Sequence, residues 1–524
     1  MRCTARKSSV RCWPGTGSSS GSSSSTVPGC PRGNRVPRGR RPPSWPRCSP
    51  SWLRRFCWGC GRAGALPILP HAPEASLPRR MPAEAPPADR VPIPPPVGLR
   101  SRMLRGITWN VFGAVFTQGS VFLSNIIIAN LVGRDVFGEY GMIQSTLLAF
   151  GGVAQVATGI TATKYVAEFR VLDKERTGRI LGLCSAVTLV TGAVATLALL
   201  LGAPWLASSL LKSPHLARGI MIAAGFVLLT VINGYQVGAL AGLENYRAIA
   251  RSGALQGVFH LAACSLFTYL WGLEGALGGL VASAFARWWL FHSMLRTAAR
   301  EQEVPIRYRG IWTERGIIFR FALPAAISGL SAMPALWLAN AFLVRQPGGF
   351  SQMGLYSAAN TLRTVVLFLP LLLNNVGTSL LNNQRGLGDA VRYRKVFWFN
   401  LGATAAVAAA GAVAVAVSGP WLLRMFGKEF IGGSGVLVIL MLSTIPESLA
   451  IAGAQIIQSQ ERMWLSFFLI ALPRDVCIVG LAYRFAPLHG AAGLAWSYTA
   501  SWALTLATVF ILVASIGLEP QARK

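Results

Sequence analysis

The feature that most constrains this chain is a series of apolar stretches, each about 20 residues or longer, that recur from about residue 105 onward. Each stretch is long enough to cross a hydrocarbon core about 30 Å thick. The bilayer core offers no water to backbone polar groups, so such segments cross it as helices. We predict twelve spans, at 106–130, 140–163, 180–203, 216–240, 248–270, 273–294, 317–343, 355–381, 396–418, 431–456, 463–483 and 490–514. The predicted fold class is an all-α polytopic membrane protein.

Composition agrees with a membrane protein and bears on the choice of partner. The chain is 52% hydrophobic and 13% charged, whereas soluble domains are about 25% charged. Its net charge of +30 would suit nucleic-acid binding. The positions of the lysines and arginines exclude that partner, because they follow the predicted loops.

Lysine and arginine are concentrated on one side of the predicted membrane. From residue 100 onward, 24 of them fall before the first span, in alternate loops with the adjoining span ends, or in the tail. Seven lie in the opposite loops, namely Arg134, Lys212, Arg218, Arg345, Arg424, Lys428 and Arg484. This bias is typical of the positive-inside rule and predicts that both termini are cytoplasmic. Only Arg363 and Arg474 belong to neither set.

The first 103 residues differ from the rest in composition. They are rich in Ser, Gly, Pro and Arg, as in GSSSGSSSS and RVPRGRRPPSWPR. Such a segment buries too little apolar surface to offset its ordering entropy, so we predict a disordered extension over 1–103. Met81 and Met103 are both plausible translation starts.

The membrane part contains an internal duplication. GEYGMIQSTLLAF from Gly138 resembles GLYSAANTLRTVV from Gly354, and GLEGALGGLVASAFA from Gly272 resembles PLHGAAGLAWSYTAS from Pro487, with nearly the same offset. Each copy holds six predicted spans, so both run in the same sense across the membrane. We predict two six-helix bundles over 104–295 and 317–515, a basic cytoplasmic connector over 296–316 and a tail over 516–524.

Polar residues inside the spans recur at helical spacing, so that they share faces. The residues concerned are Gln118 and Asn125 in span 1, Gln155 in span 2, Asn340 in span 7, and Asn360, Arg363, Asn374 and Asn375 in span 8. We expect these faces to line a central cavity. The alternative is that the amides are interhelical hydrogen-bonding groups, each contributing about 0.6 kcal/mol.

Arg363 is the strongest candidate among them. It lies about eight residues inside its span, roughly 12 Å along a helix, which is too deep for the side chain to reach the headgroups easily. A charge at this depth is costly and should face water or an anion. Pro370 follows and invites a kink. The equivalent position in the first half is Leu147, so we expect the anionic ligand to lie against the C-terminal bundle.

Arg474 in span 11 is the second arginine at depth. Asp475 adjoins it, but neighbouring residues on a helix point in different directions. Pairing with a carboxylate elsewhere and contact with substrate both stay open. His260 is equivalent to Asp475 by the repeat, and it is either a packing residue or a titratable one. Lys164 and Arg320 lie near the cytoplasmic ends of their spans and could form a cationic entrance.

The sequence shows no catalytic set. It has no HExxH, GxSxG, Walker or DxD motif, and few acidic residues in the spans. These absences predict a transporter that is not an enzyme, uses no cofactor and hydrolyses no ATP. Coupling to a proton or sodium gradient is compatible with this reading, with no coupling residue identified.

Several segments resemble the polysaccharide-transport branch of the multidrug/oligosaccharidyl-lipid/polysaccharide (MOP) exporter superfamily, the Wzx-like flippases. They are LRGITWNVFGAVFTQGSVFLSNIIIANLVGRDVFGEYG (104–141), ATGITATKYVAEF (157–169), GALAGLENYRAIARSGALQGV (238–258), GLEGALGG (272–279) and GLYSAANTLRTVVLFLPLLL (354–373). The likeness covers about residues 104–515.

That resemblance implies two bundles around a V-shaped cavity in the bacterial cytoplasmic membrane. It also implies alternating access and transfer of a polyprenyl-diphosphate-linked oligosaccharide to the outer leaflet. Arg363 and Arg474 would hold the anionic headgroup, with Lys164, Arg287 and Arg320 at the cytoplasmic mouth. Glycosyltransferases and a polysaccharide polymerase are the implied protein partners.

Two other functions are weighed against this one. A cation-coupled drug or metabolite exporter of the same superfamily would need a buried carboxylate, and we identify none in the spans. A membrane-embedded polysaccharide polymerase would need a large loop outside the membrane, and every predicted outer loop is short.

Overall fold

A computed structural model describes the backbone of residues 99–387, 390–459 and 463–516, so the prediction of disorder over 1–103 lies almost wholly outside the described residues. The fold is almost entirely helical. The helices are α1 (Leu99–Ala154), α2 (Thr158–Phe169), α3 (Lys174–Trp205), α4 (Leu216–Ala223), α5 (Gly225–Gly242), α6 (Tyr246–Glu301), α7 (Arg315–Ile317), α8 (Leu323–Gly329), α9 (Ala332–Val344), α10 (Gly349–Leu387), α11 (Ala390–Val417), α12 (Gly419–Phe426), α13 (Ser434–Ser459), α14 (Met463–Ser466) and α15 (Leu472–Ile516). Turns of π-helix occupy Leu206–Leu210, Ile318–Ala322 and Phe467–Ala471, and 3₁₀ turns occupy Ile311–Glu314 and Lys428–Gly433.

Within the described ranges, nine helical segments are long and apolar enough to cross a membrane. The helices α1, α6 and α15 each enclose two predicted spans and contain a glycine with positive φ between them, namely Gly133, Gly272 and Gly490. Glycine adopts this conformation without the steric cost that a Cβ brings. The all-α membrane fold is confirmed, and all predicted spans fall largely in helical segments. The number of twelve crossings stays a prediction.

The helices form two bundles, joined mainly through α1. In the first bundle α1 packs against α6, while α2, α3 and α5 pack against one another. In the second, α10, α11, α13 and α15 surround a shared interior, with α9 against α15. Large apolar side chains such as Leu201 and Val417 stay more than 70% exposed on the bundle surfaces, as expected for faces that contact lipid.

We distinguish two ends of the molecule by charge. The arginine-rich end carries the segments 164–179 and 296–315, and the arginine-poor end carries the loops around residues 134, 212, 346 and 427. The distribution of charge predicts that the arginine-rich end is cytoplasmic.

The bundles touch closely near the arginine-poor end, where α1 crosses α10. A Cβ on Gly138 would collide with the carbonyl of Phe350, and one on Gly354 would collide with the carbonyl of Arg134. Glycine is therefore required at both positions, where the two backbones approach each other. Further along the interface, Asn340 donates to the hydroxyl of Ser145 at 2.9 Å.

The predicted connector is less solvated than its charge suggests. Residues 296–301 continue α6, and the chain after it lies along the start of α3, where the amide of Arg307 donates to the carbonyl of Gly178 at 3.2 Å. Four ion pairs fasten it there: Lys174–Glu303, Arg176–Glu314, Arg179–Glu314 and Arg307–Glu175. Lys174 donates a hydrogen bond to Glu303 and so lowers the pKa of that carboxyl.

The second predicted span, 140–163, is not one continuous helix. It breaks between α1 and α2, where Val156 and Ala157 take φ values of 41° and 49°. Such values are uncommon outside glycine and end a right-handed helix. The hydroxyl of Thr158 closes the turn by donating to the carbonyl of Gln155 at 3.1 Å.

Candidate functional site

Arg363 on α10 points into the interior of the C-terminal bundle, where it has a complete set of partners. Its Nε donates to Asn360 Oδ1 at 2.9 Å, and one Nη donates to Tyr498 Oη at 2.8 Å and to the carboxylate of Glu447. The guanidinium also lies 4.4 Å from the centre of the Tyr498 ring. Tyr498 in turn donates to the second oxygen of Glu447 at 3.0 Å. The side chains of Arg363 and Glu447 are 11% and 10% exposed.

This arrangement corrects one prediction and changes another. The statement that the spans hold no buried carboxylate is wrong, because Glu447 follows Pro446 inside α13 and is buried. Arg363 is consequently not a free cation in this conformation, because its charge is balanced by Glu447. Substrate binding by Arg363 stays a prediction. Pro370 is accommodated within α10, which runs from Gly349 to Leu387.

A second buried ion pair joins Arg474 to its neighbour Asp475. Both Nε and Nη2 of Arg474 donate to Asp475 Oδ1, at 2.8 and 2.7 Å, and Ser331 donates to Oδ2 at 2.6 Å. The expectation that adjacent residues point apart is wrong here. The arginine side chain is long enough to fold back to its neighbour's carboxylate, next to the π-helical turn that precedes α15.

Aromatic rings link the two ion pairs. Arg474 stacks on Trp502, with its guanidinium carbon 4.8 Å from the ring centre, and the rings of Trp502 and Tyr498 are 6.2 Å apart. Tyr498 also contacts Arg363, through the hydrogen bond and the ring contact described above. One polar and aromatic network thus connects α10, α13 and α15 through the bundle interior.

The two asparagines of span 8 have different environments. Asn374 is buried: its Nδ2 donates to the Ser448 carbonyl at 3.3 Å, and its Oδ1 accepts from Asn400 and Thr404. Asn375 is exposed. Their expected placement on one cavity face is wrong, since adjacent positions on a helix differ by about 100°. Asn374 holds α10, α11 and α13 together.

The N-terminal bundle holds a cation in a different setting. Arg287 on α6 has a buried Nε–H with no hydrogen-bond partner, and no carboxylate among the described residues lies within 4.0 Å of it. Its guanidinium lies 5.4 Å from the ring of Phe291. Arg287 lies seven residues before the predicted end of span 6, about 10 Å along a helix and deeper than a mouth position.

Three buried amides lie at about the level of Arg287 along the bundle. Asn233 and Gln236 donate to the carbonyls of Ala284 and Trp288 on either side of it, at 3.3 and 3.4 Å. Gln256 lies midway between Ser252, which contacts Met294, and His260, which contacts Ser283, on the facing part of α6. Because Arg287 lies between Ser283 and Met294, Gln256 and Arg287 are at about the same depth. The side-chain oxygen of each amide is buried without a partner.

The remaining predicted residues are dispersed. Asn125 and Gln118 are half-buried, and Gln155 is exposed at the helix break, with its amide against Gly234. His260 is a packing residue that hydrogen-bonds Ser283 at 2.9 Å. Lys164 is exposed and lies 4.3 Å from the ring of Phe321 in the C-terminal bundle. The side chain of Arg320 lies outside the described residues.

A family model for polysaccharide biosynthesis proteins matches residues 103–377. The chain belongs to this family. Among similar proteins, the EPS I polysaccharide export inner membrane protein EpsE of Ralstonia nicotianae is 24% identical over 424 residues, which cover 78% of this chain and 93% of that protein. The stage V sporulation protein B of Bacillus subtilis is 24% identical over 191 residues, 36% of this chain and 37% of its own length.

Solved structures share the fold. An inward-facing multidrug resistance MATE family transporter of the MOP superfamily aligns with a TM-score of 0.68 at 16% identity, covering 78% of this chain and 98% of its own. A MOP superfamily transporter from Pyrococcus furiosus aligns with a TM-score of 0.62 at 15% identity, over 80% and 95% of the two chains. These structures confirm the predicted MOP-type fold. Together with the family match and the similarity to an inner membrane export protein, they confirm the prediction of a multi-pass membrane transporter rather than an enzyme.

The predicted polar stripes omit several of the residues that organise the two sites, namely Glu447, Tyr498, Asn233, Gln236 and Gln256. A signal for Glu447 exists in the sequence. It is the carboxylate at the centre of the apolar segment VLVILMLSTIPESLAIAGAQ. An ionisable residue in such a segment needs a partner, and Arg363 is the cation at matching depth.

Proposed function

We propose that this protein is a flippase that moves a lipid-diphosphate-linked oligosaccharide from the inner to the outer leaflet of the bacterial cytoplasmic membrane. Membership of the polysaccharide biosynthesis family and the similarity to EpsE support a role in surface polysaccharide export. Glycosyltransferases would supply the substrate and a polymerase would receive it.

The observation that carries this proposal is Arg287, which lies inside its predicted span at the level of three amides with unpartnered side-chain oxygens. A half-buried cation at this depth, with no carboxylate among the described residues within 4.0 Å, favours an anion, and diphosphate is the anionic part of the proposed substrate. The unpartnered oxygens of Asn233, Gln236 and Gln256 can accept hydrogen bonds from sugar hydroxyls. The set therefore matches a ligand with an anionic group next to hydroxyls.

Arg363 would take part only when Glu447 releases it. A diphosphate and Glu447 compete for the same guanidinium, so binding of the anion at Arg363 requires Arg363 to leave the carboxylate. Lys164, at the arginine-rich end between the bundles, would attract the headgroup on entry.

The test is export of surface polysaccharide in a strain that lacks the chromosomal copy and carries variants at matched protein levels. We expect Arg287→Gln to reduce export at least tenfold and Arg287→Lys to retain a measurable part. The matched control is Arg300→Gln, an exposed arginine in the last turn of the same helix, which should export normally. Normal export by Arg287→Gln would overturn the assignment of Arg287 to the substrate.

A second candidate is a cation-coupled exporter of drugs or metabolites. The buried carboxylates Glu447 and Asp475 favour it, because such exporters need a titratable group in the membrane. Drug susceptibility of the deletion strain separates the two functions. Increased susceptibility with unchanged surface polysaccharide would support the exporter of drugs instead of the flippase.

A further inference from the structure

A basic cavity lies at the arginine-rich end of the N-terminal bundle, apart from the buried sites described above. Its volume is about 830 Å³, and it is formed where the connector folds against α3. Three arginines and one carboxylate line it, namely Arg179, Arg307, Arg309 and Glu314, together with Tyr308, Gly310 and Thr313. Arginine and aromatic side chains at this level are typical of the membrane–water interface.

The positive charge of this cavity is only partly balanced. Glu314 is shared between Arg176 and Arg179, and Arg307 pairs with Glu175 on the protein surface. Arg309 has no carboxylate partner among the described side chains. In addition, the Nε–H of Arg179 is buried and makes no hydrogen bond. The guanidinium of Arg309 and the Nε–H of Arg179 thus remain available to an anion, while an Nη of Arg179 pairs with Glu314.

A mostly apolar cavity of about 320 Å³ shares Tyr308 with the basic one. Leu189, Leu229, Ile232 and Phe285 line it, with Trp288 beside them. Leu189 and Phe285 are each 53% exposed, so this cavity opens on the outer face of the bundle. Gln236, which is 1% exposed, also lines it, and its Oε1 has no partner. The two neighbouring cavities thus combine a cationic end with an apolar surface that faces outward from the bundle.

We infer that these neighbouring cavities bind a phospholipid with an anionic headgroup from the cytoplasmic leaflet. The phosphate would lie between Arg179 and Arg309, and an acyl chain would occupy the space beside Leu189 and Phe285. Basic pockets between membrane helices on the cytoplasmic side bind anionic lipid headgroups through the same chemistry. The headgroup part of the site, formed by Arg179 and Arg309, contains none of the residues assigned to the proposed flippase substrate, whereas Gln236 borders both sites.

A lipid in this position would hold the connector against α3, because it contacts residues of both. The chain between the bundles would then stay with the N-terminal bundle. Binding of the lipid should therefore also stabilise the connector.

The experiment is native mass spectrometry of the full-length purified protein with dioleoyl phosphatidylglycerol or dioleoyl phosphatidylcholine. We expect the wild type to retain phosphatidylglycerol at least fivefold more than phosphatidylcholine. Arg309→Gln should lower the bound phosphatidylglycerol at least fivefold, and Leu189→Trp, which fills the apolar part, should lower it similarly. Arg251→Gln is the matched control, since Arg251 is exposed at the start of α6 and lies outside both cavities.

Equal retention of both lipids, or equal loss of phosphatidylglycerol in Arg251→Gln, would overturn the inference. So would displacement of phosphatidylglycerol by an equimolar polyprenyl phosphate through the same arginines, because the site would then belong to the transported lipid. Each variant is also melted without added lipid. An unfolding temperature within roughly 2 °C of the wild type, as expected for a surface substitution, confirms that folding is intact.

Discussion

In the C-terminal bundle, Arg363 meets Glu447, Tyr498 and Asn360, so a buried charge is neutralised and all three partners are fixed. In the N-terminal bundle, Arg287 has a buried Nε–H without a partner and no described carboxylate nearby. The two bundles repeat one helical plan but differ in how they accommodate an arginine. The expectation from the sequence was the reverse, with the anion held by the C-terminal half.

The difference separates two roles for a charge inside a membrane protein. A paired charge whose hydrogen bonds are all made contributes to the folded structure, because loss of one partner leaves the other charge buried and uncompensated. An unpaired charge lowers stability and is retained when a ligand or water-filled passage needs it. By this criterion Arg363 supports the C-terminal bundle in the present conformation, whereas Arg287 is available for an anion.

The largest effect is expected for Glu447→Gln. It removes the carboxylate from Arg363 and leaves a buried cation, which should destabilise the protein by about 3–5 kcal/mol. Thermal unfolding of the purified protein in detergent measures the change. The double variant Glu447→Gln/Arg363→Gln should recover part of the loss, because neither charge then remains. If Glu447→Gln is as stable as the wild type, Arg363 is solvated, and the arginines of the two bundles do not differ in the way that their contacts indicate.

A smaller effect is expected for Asp475→Asn in the second ion pair. Arg474 loses its charged acceptor but keeps the ring of Trp502, and hydrogen bonds to charged groups contribute about 1.5–3 kcal/mol. We therefore expect a loss of roughly 2 kcal/mol in the same unfolding assay. Trp502→Leu in the Asp475→Asn background should add to that loss. No change in either variant would mean that Arg474 reaches water.

The smallest of these effects concerns Asn374, which joins three helices of the C-terminal bundle. Asn374→Ala removes its side-chain bonds to Ser448, Asn400 and Thr404. Interhelical hydrogen bonds in membranes contribute about 0.6 kcal/mol each, so the expected loss is about 1–2 kcal/mol. Asn375→Ala is the control and should be neutral. An equal loss in both variants would contradict the buried position assigned to Asn374.

Much of the fold was predictable because length, apolarity and charge bias act over whole segments. The predicted spans, the duplication and the two bundles depend on such averages, and errors of a few residues do not change them. The break at Val156 and Ala157 was not predictable, because nothing in their side chains favours positive φ.

The candidate sites were less predictable, because pairing depends on which helices become neighbours. Asn374 and Asn375 show the limit most clearly, since one faces the interior and the other is exposed. Glu447 and Arg363 are 84 residues apart in the chain and meet only once α10 packs on α13. Arg287 was predicted only as part of the cytoplasmic mouth, and only the folded bundle shows that its Nε lacks a partner.

The most direct test of this account measures folding and transport together in Arg287→Gln and Arg363→Gln. Each replaces one arginine inside a predicted span with a neutral polar side chain. We expect Arg287→Gln to unfold at or above the wild-type temperature while polysaccharide export falls at least tenfold, and Arg363→Gln to lower the unfolding temperature because Glu447 loses its partner. Normal export by a stable Arg287→Gln protein, with export lost in an equally stable Arg363→Gln protein, would contradict the assignment of the anion to the N-terminal bundle.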